Sequence, residues 1–117
     1  MKKITVVFAT LLCGFSVFSL ADNPTQVNYS TPLTLQGNIK KENGYPMLHL
    51  AAPGINLRGG EESFYPNIDG VRKLQIVWSG KKLPVGCVFA EGTLFGAETA
   101  HHKTDVLIEL KTYKPCP

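Results

Sequence analysis

Two runs of alternating apolar and other side chains, separated by a short polar segment, occupy the residues from Gly86 to Tyr113. A period of two is typical of half-buried β-strands, so the stretch predicts two strands joined by a loop. In the second strand, Asp105–Tyr113, alternation predicts Val106, Ile108 and Leu110 pointing inward and Leu107, Glu109 and Lys111 pointing outward. The loop between the strands carries two adjacent histidines, His101 and His102.

Three further segments show the same period, and none shows a convincing helical one. They are Leu33–Lys41, Tyr45–Ala52 and Lys73–Ser79. Asn43-Gly44 predicts a tight hairpin between the first two, because this pair accepts the positive φ angles of such a turn. Gly37, on the predicted inner face of the first strand, indicates a bulge or sharp coiling.

The segment from Ala52 to Val71 is interrupted by proline and glycine, and we predict no regular structure there. About twenty irregular residues is long for a small domain, which indicates a loop that is either functional or poorly ordered. Its apolar side chains predict that part of it packs over an open barrel end: Ile55, Leu57, Phe64, Tyr65 and Ile68.

Five strands with a long connection after the second predict an all-β fold. We expect a small five-stranded Greek-key barrel of the OB type over residues 33–117, with a small β-sandwich as the alternative. Residues 22–32 are polar and contain Pro24 and Pro32, which predicts an extended N-terminal arm.

The first 21 residues read as a bacterial signal peptide. Lys2 and Lys3 precede an apolar run, and small residues flank an expected cleavage after Ala21. Because no cluster of basic residues follows, we expect export to the periplasm or beyond, with no membrane anchor after cleavage. Cys13 is then discarded with the signal peptide.

Charge and cysteine content restrict the mature chain further. Loss of Lys2 and Lys3 from the 12 basic residues leaves ten against 9 acidic ones, which excludes the strong positive field of a nucleic-acid-binding protein. Cys87 and Cys116 are the remaining cysteines, and an even pair in an exported chain predicts a disulfide. Two unpaired thiols are the alternative.

The sequence GTLFGAETAHHKTDVLI, from Gly92 to Ile108, resembles the C-terminal signature of a bacterial family of exported proteins called domain of unknown function 4431. The resemblance extends over residues 72–113. The matching positions are Gly92, Thr93, Leu94, Phe95, Thr99, His101, His102, Thr104, Val106 and Leu107. It implies an exported β protein and no particular activity.

Adjacent histidines in a loop can converge on one metal ion, whereas on a strand they point to opposite faces. His101 and His102, completed by Asp105, Glu98 or His49, would form a zinc or copper site. That alternative makes the protein a metal binder or a small metal-dependent hydrolase. The other interpretation needs no cofactor and gives the histidines hydrogen-bonding or packing roles.

No serine lies in a recognisable nucleophile motif, so we predict no catalytic residue and no enzyme activity. The favoured hypothesis is a non-catalytic binding module, inhibitor-like or immunity-like by analogy, for an envelope protein or glycan. The candidate binding residues lie on its two longest loops: Phe64, Tyr65, Glu98, Thr99, His101, His102, Lys103 and Thr104.

Overall fold

The computed structural model describes residues 24–59 and 64–117. The predicted signal peptide, with its cleavage site, lies outside these residues. Eight strands form in the described part, and no helix does. They are β1 (Thr25–Asn28), β2 (Leu33–Glu42), β3 (Tyr45–His49), β4 (Ile55–Arg58), β5 (Ile68–Val71), β6 (Lys73–Val77), β7 (Gly86–Gly96) and β8 (Val106–Pro115).

Five long or central strands pair in the order β2-β3-β6-β8-β7, and β7 pairs again with β2, so that the ladder closes into a ring. All pairs are antiparallel except β6 with β8, which is parallel. The prediction of an all-β fold is confirmed.

A second sheet is the main departure from the predicted single barrel. β1 pairs in parallel with β4, and β4 pairs antiparallel with β5. The prediction that residues 52–71 lack regular structure is therefore wrong, and the N-terminal arm contributes a strand. Four-residue strands bounded by Pro and Gly carry too little period to be recognised locally, and their pairing depends on a distant partner.

The core lies inside the ring and extends under the small sheet. On β2 the predicted alternation is confirmed, with Leu33, Leu35, Gly37 and Ile39 facing inward. The central side chains are fully buried: Ile39, Leu48, Leu57, Leu74, Leu94, Val106 and Ile108. Burial of each of the large ones contributes on the order of 1.5–3 kcal/mol.

Of the five apolar side chains predicted to pack over an open barrel end, four pack in or against the core and one does not. Ile55 and Leu57 are buried in the core, and Tyr65 and Ile68 pack against it. Phe64 instead has a fully exposed side chain, at 101% relative accessibility.

Two glycine positions explain how the strands turn and approach one another. Asn43 and Gly44 have φ angles of 54° and 86°, as the predicted tight hairpin requires. Of the bulge or sharp coiling predicted at Gly37, the bulge is absent, because the ladder of β2 with β7 passes Gly37 without a register shift. In the pairing of β7 with β8 a register shift falls between Glu91 and Gly92. Gly37 serves close packing: a Cβ there would stand 2.7 Å from the carbonyl oxygen of His49.

The predicted disulfide is present between Cys87 and Cys116, whose Cα atoms are 5.4 Å apart. The backbone N–H of Cys116 also donates to the carbonyl of Cys87 at 3.1 Å. The bridge fastens the chain end to the start of β7 and indicates an oxidising compartment. Among the described residues, no helix is long and apolar enough to span a membrane.

Candidate functional site

The loop between β7 and β8, residues 97–105, is here called the histidine loop. It folds back over the outer face of the ring and is held there by Gln75 of β6. The Gln75 side-chain amide donates to the carbonyl of His101 at 3.0 Å and accepts from the N–H of Lys103. Its backbone N–H donates to Thr104 Oγ1 at 3.0 Å. Gln75 is only 6% exposed, so these bonds lie shielded from water.

Beneath the histidine loop lies a row of side chains on the outer face of the ring. The register places Met47 opposite Gln75, Gln75 opposite Leu107, and Leu107 opposite Phe95. Met47 and Leu107 are buried although they face away from the core. Leu107 lies outside the core cluster, in agreement with the prediction that it points outward, and its side chain is nevertheless fully buried.

The two histidines have different surroundings. His102 Nδ1 accepts from the backbone N–H groups of Glu98, at 2.8 Å, and Thr99, at 3.3 Å. These donors assign the ring proton of neutral His102 to Nε2. The imidazole also packs edge-on against Phe95, with centroids 5.6 Å apart. His101 is exposed.

The remaining polar residues of the histidine loop mostly hold its backbone. Thr99 Oγ1 accepts from the N–H of His101 at 3.2 Å, and Thr104 Oγ1 donates to the carbonyl of Val106 at 2.6 Å. Lys103 Nζ donates to the carbonyl of Ala100 at 2.9 Å and lies 5.4 Å from the centre of the Tyr45 ring. The histidine loop is therefore held in one conformation by its own hydrogen bonds.

Among the residues that it describes, the structure does not bring together a set of ligands for the predicted zinc or copper site at His101 and His102. Across residues 24–59 and 64–117, no three His, Cys, Asp or Glu side chains come together as metal ligands would. One nitrogen of His102 already accepts backbone N–H groups, and His49 lies beside Glu42 of β2.

A groove of about 650 Å³ lies where the segment before β5 meets the end of β7 and the start of β8. We call it the acidic groove; its side-chain lining includes Phe64, Tyr65, Ile68, Glu98 and Asp105, over Gly96 at its floor. No Lys or Arg is among its described lining residues. It brings together Phe64, Tyr65 and Glu98 of the predicted binding residues. The other predicted binding residues lie on the histidine loop outside this groove.

Tyr65 forms one wall of the acidic groove and is fixed from three sides. Its hydroxyl donates to the Glu98 carboxylate, and its ring lies 4.9 Å from that of Tyr29. A Cβ on Gly96 would stand 2.6 Å from the Tyr65 ring, so this glycine admits the aromatic side chain. The hydrogen bond to Glu98 is the main cause that raises the pKa of Tyr65.

Tyr29 supports the same wall from below. Its hydroxyl donates to the carbonyl of Pro66 at 2.8 Å, which fastens the chain next to Tyr65. Burial, followed by the charge of Asp105, raises the pKa of Tyr29. Both tyrosines therefore remain neutral at physiological pH and present rigid aromatic surfaces.

Sequence reasoning missed Gln75 and the groove role of Asp105. Gln75 stands between Leu74 and Ile76 in an apolar strand, which by alternation reads as a solvent-facing polar residue. Gln75 is buried because the histidine loop packs on it. No local sequence pattern predicts this contact between distant residues. The sequence predicts Asp105 only as a metal ligand.

The family model described as Domain of unknown function (DUF4431) matches residues 87–114. This segment comprises most of β7, the histidine loop and most of β8, and its match agrees with the resemblance found in the sequence. Neither a curated protein nor a solved structure matches the chain. The matched segment ends two residues before Cys116, so it includes one half of the disulfide.

Proposed function

We propose that this protein is a non-catalytic periplasmic or secreted binding module that engages a protein or glycan of the bacterial envelope through the acidic groove. The observation that carries the proposal is Phe64, a fully exposed aromatic side chain at the rim of a concave surface. Exposed aromatic side chains beside a rigid wall are typical anchors of binding interfaces.

The charges of the acidic groove favour a protein partner over a neutral glycan. Glu98 and Asp105 line it, and no cation among its described lining residues offsets them. Such a surface attracts an Arg or Lys side chain, which would also stack on an aromatic ring. The Glu98 carboxylate retains acceptor capacity beyond its bond with Tyr65, because a carboxylate has about four acceptor positions.

We further infer that the ring of five strands is a Greek-key barrel of the OB type. Numbered along the chain, the five ring strands are β2, β3, β6, β7 and β8. The fourth of them, β7, lies beside the first, β2, and the second and third follow, which is the Greek-key order. In OB barrels the loop between the last two strands contributes to ligand binding, and here that loop carries Glu98.

The Cys87–Cys116 disulfide supports the extracytoplasmic part of the proposal. Together with the predicted signal peptide it favours export, and cleavage after Ala21 would release a chain that begins just before β1. N-terminal sequencing of the protein isolated from the envelope tests this point directly.

Site-specific photo-crosslinking in living cells tests the binding surface. A benzoylphenylalanine at position 64 is expected to give a discrete protein adduct. The same group at position 89 is the matched control, because Phe89 is a partly exposed aromatic residue on β7 outside the acidic groove. Glu98→Gln in the position-64 protein is expected to reduce the adduct several-fold, since it removes a charge that faces the partner.

Equal crosslinking from positions 64 and 89, or none from either, would remove the acidic groove from the binding site. Thermal unfolding of each variant accompanies the assay and separates lost binding from lost folding.

A further inference from the structure

A second groove, of about 700 Å³, lies on the outer face of β2 and β3 and carries the opposite charge. We call it the basic groove; its lining includes Gln36, Asn38, Lys40, His49, Arg72 and Lys73. No Asp or Glu is among its described lining residues. We propose that this groove binds a phosphorylated saccharide, with Lys40 and Arg72 on the phosphate.

The register of the ring explains why three of these side chains lie side by side. Asn38 lies opposite His49, and His49 lies opposite Lys73, so the three form one row on the outer face. Gln36, Asn38 and Lys40 alternate along β2 on that same exposed face. Most of the groove is therefore built on strands, while Arg72 lies in the single-residue connection between β5 and β6.

Two of its three permanent cations are not neutralised by any residue that the structure describes. Lys73 Nζ pairs with Glu42 Oε1 at 2.9 Å, while Lys40 and Arg72 form no ion pair within residues 24–59 and 64–117. Arg72 is nevertheless held in place. Its Nε donates to the carbonyl of Leu50 at 3.4 Å, and its own carbonyl accepts from the Leu50 N–H at 2.8 Å.

Glu42, at the edge of the basic groove, is engaged by the protein rather than available to repel a ligand. Its hydrogen bond with Lys73 is the main cause that lowers the pKa of this carboxyl. The buried Nε2 of His49 also lies 2.7 Å from Glu42 Oε2, without hydrogen-bond geometry. The local balance of Lys40, Arg72, Lys73 and Glu42 is thus positive.

The chemistry of the lining favours a phosphorylated sugar over a lipid surface. A guanidinium and an ammonium that line the same groove are suited to phosphate, because both donate charge-assisted hydrogen bonds. The Asn38 side-chain amide offers a donor and an acceptor for sugar hydroxyls. Its described lining residues include no large exposed apolar side chain that would enter a bilayer.

Binding of glucose 1-phosphate to the full exported protein, followed by calorimetry and by NMR of the Asn38 side-chain amide, tests the proposal. Binding is expected to weaken with added salt. Lys40→Gln with Arg72→Gln is expected to weaken it at least about tenfold, since each charge-assisted hydrogen bond contributes a factor of this size. Lys81→Gln with Lys82→Gln is the control, because it removes the same charge from exposed residues outside this groove.

Lys40→Glu alone is a second variant. Because the Lys40 side chain is exposed, this substitution is not expected to prevent folding. It is expected to weaken glucose 1-phosphate binding by the same factor as the double substitution. Equal affinity of the groove and control variants would overturn the proposal. Inorganic phosphate binding as tightly as glucose 1-phosphate would overturn the saccharide assignment, as would binding only to phosphatidylglycerol vesicles. None of these results depends on the acidic groove, whose variants are different residues.

Discussion

The histidine loop and the segment 52–71 are the two longest connections between strands of the ring, yet they are organised by different means. The segment 52–71 forms β4 and β5, and β1 from the N-terminal arm completes their sheet. The histidine loop forms no strand and is held by side chains, chiefly Gln75, Thr104 and His102. Both arrangements satisfy backbone polar groups, which a chain packed on a core must do.

The difference predicts that the two connections matter unequally to stability. The small sheet places Ile55 and Leu57 in the hydrophobic core, whereas the histidine loop covers only the outer row around Leu107. Core side chains carry more free energy than the hydrogen bonds of a surface loop. Three substitutions, in order of decreasing expected effect, test this ranking.

Leu57→Ala tests the small sheet. Leu57 is fully buried, and truncation is expected to lower the free energy of unfolding by about 2–5 kcal/mol because it leaves a cavity. Denaturant titration measures the change. Val85→Ala, a truncation at a side chain that is 76% exposed, is expected to change stability by less than about 0.5 kcal/mol. A cost for Leu57→Ala as small as this would mean that segment 52–71 is peripheral to the fold.

The strands of the ring could be predicted from the sequence because each carries its own pattern. β2 alternates from Leu33 to Lys40, and Asn43-Gly44 marks the turn to β3. The disulfide followed from counting the cysteines that remain after export. These features depend on local residues or on simple arithmetic.

The small sheet and the covered outer face could not be predicted in the same way, since each depends on contacts between distant residues. β1 has four residues and gains its ladder only from β4, about thirty positions later. Gln75 contacts His101 and Lys103, 26 and 28 residues away. Of the candidate site, Phe64, Tyr65 and Glu98 were identified, but their convergence was visible only in the fold.

Gln75→Leu tests how the histidine loop is fastened. The substitution keeps a similar volume and leaves the His101 carbonyl and the Lys103 N–H without their partner, which is expected to cost about 1–3 kcal/mol. Amide hydrogen exchange at Lys103 is expected to accelerate, and Gln26→Leu, on exposed β1, serves as the control. Unchanged exchange at Lys103 would show that the loop holds its position without Gln75.

His102→Ala compared with His101→Ala gives the smallest expected effect and separates two residues that the sequence presents as a pair. His102 accepts two backbone N–H groups, so its loss is expected to cost about 1 kcal/mol and to accelerate exchange at Glu98 and Thr99. His101→Ala keeps the backbone atoms that bind Gln75 and Thr99 and removes only an exposed ring, so no measurable change is expected. Equal costs for the two substitutions would contradict the assignment of a structural role to His102 alone. Glu98 belongs to both the histidine loop and the acidic groove. Reduced crosslinking from position 64 in the His102→Ala protein would therefore show that the histidine loop positions the groove. His101→Ala is expected to leave this crosslinking unchanged.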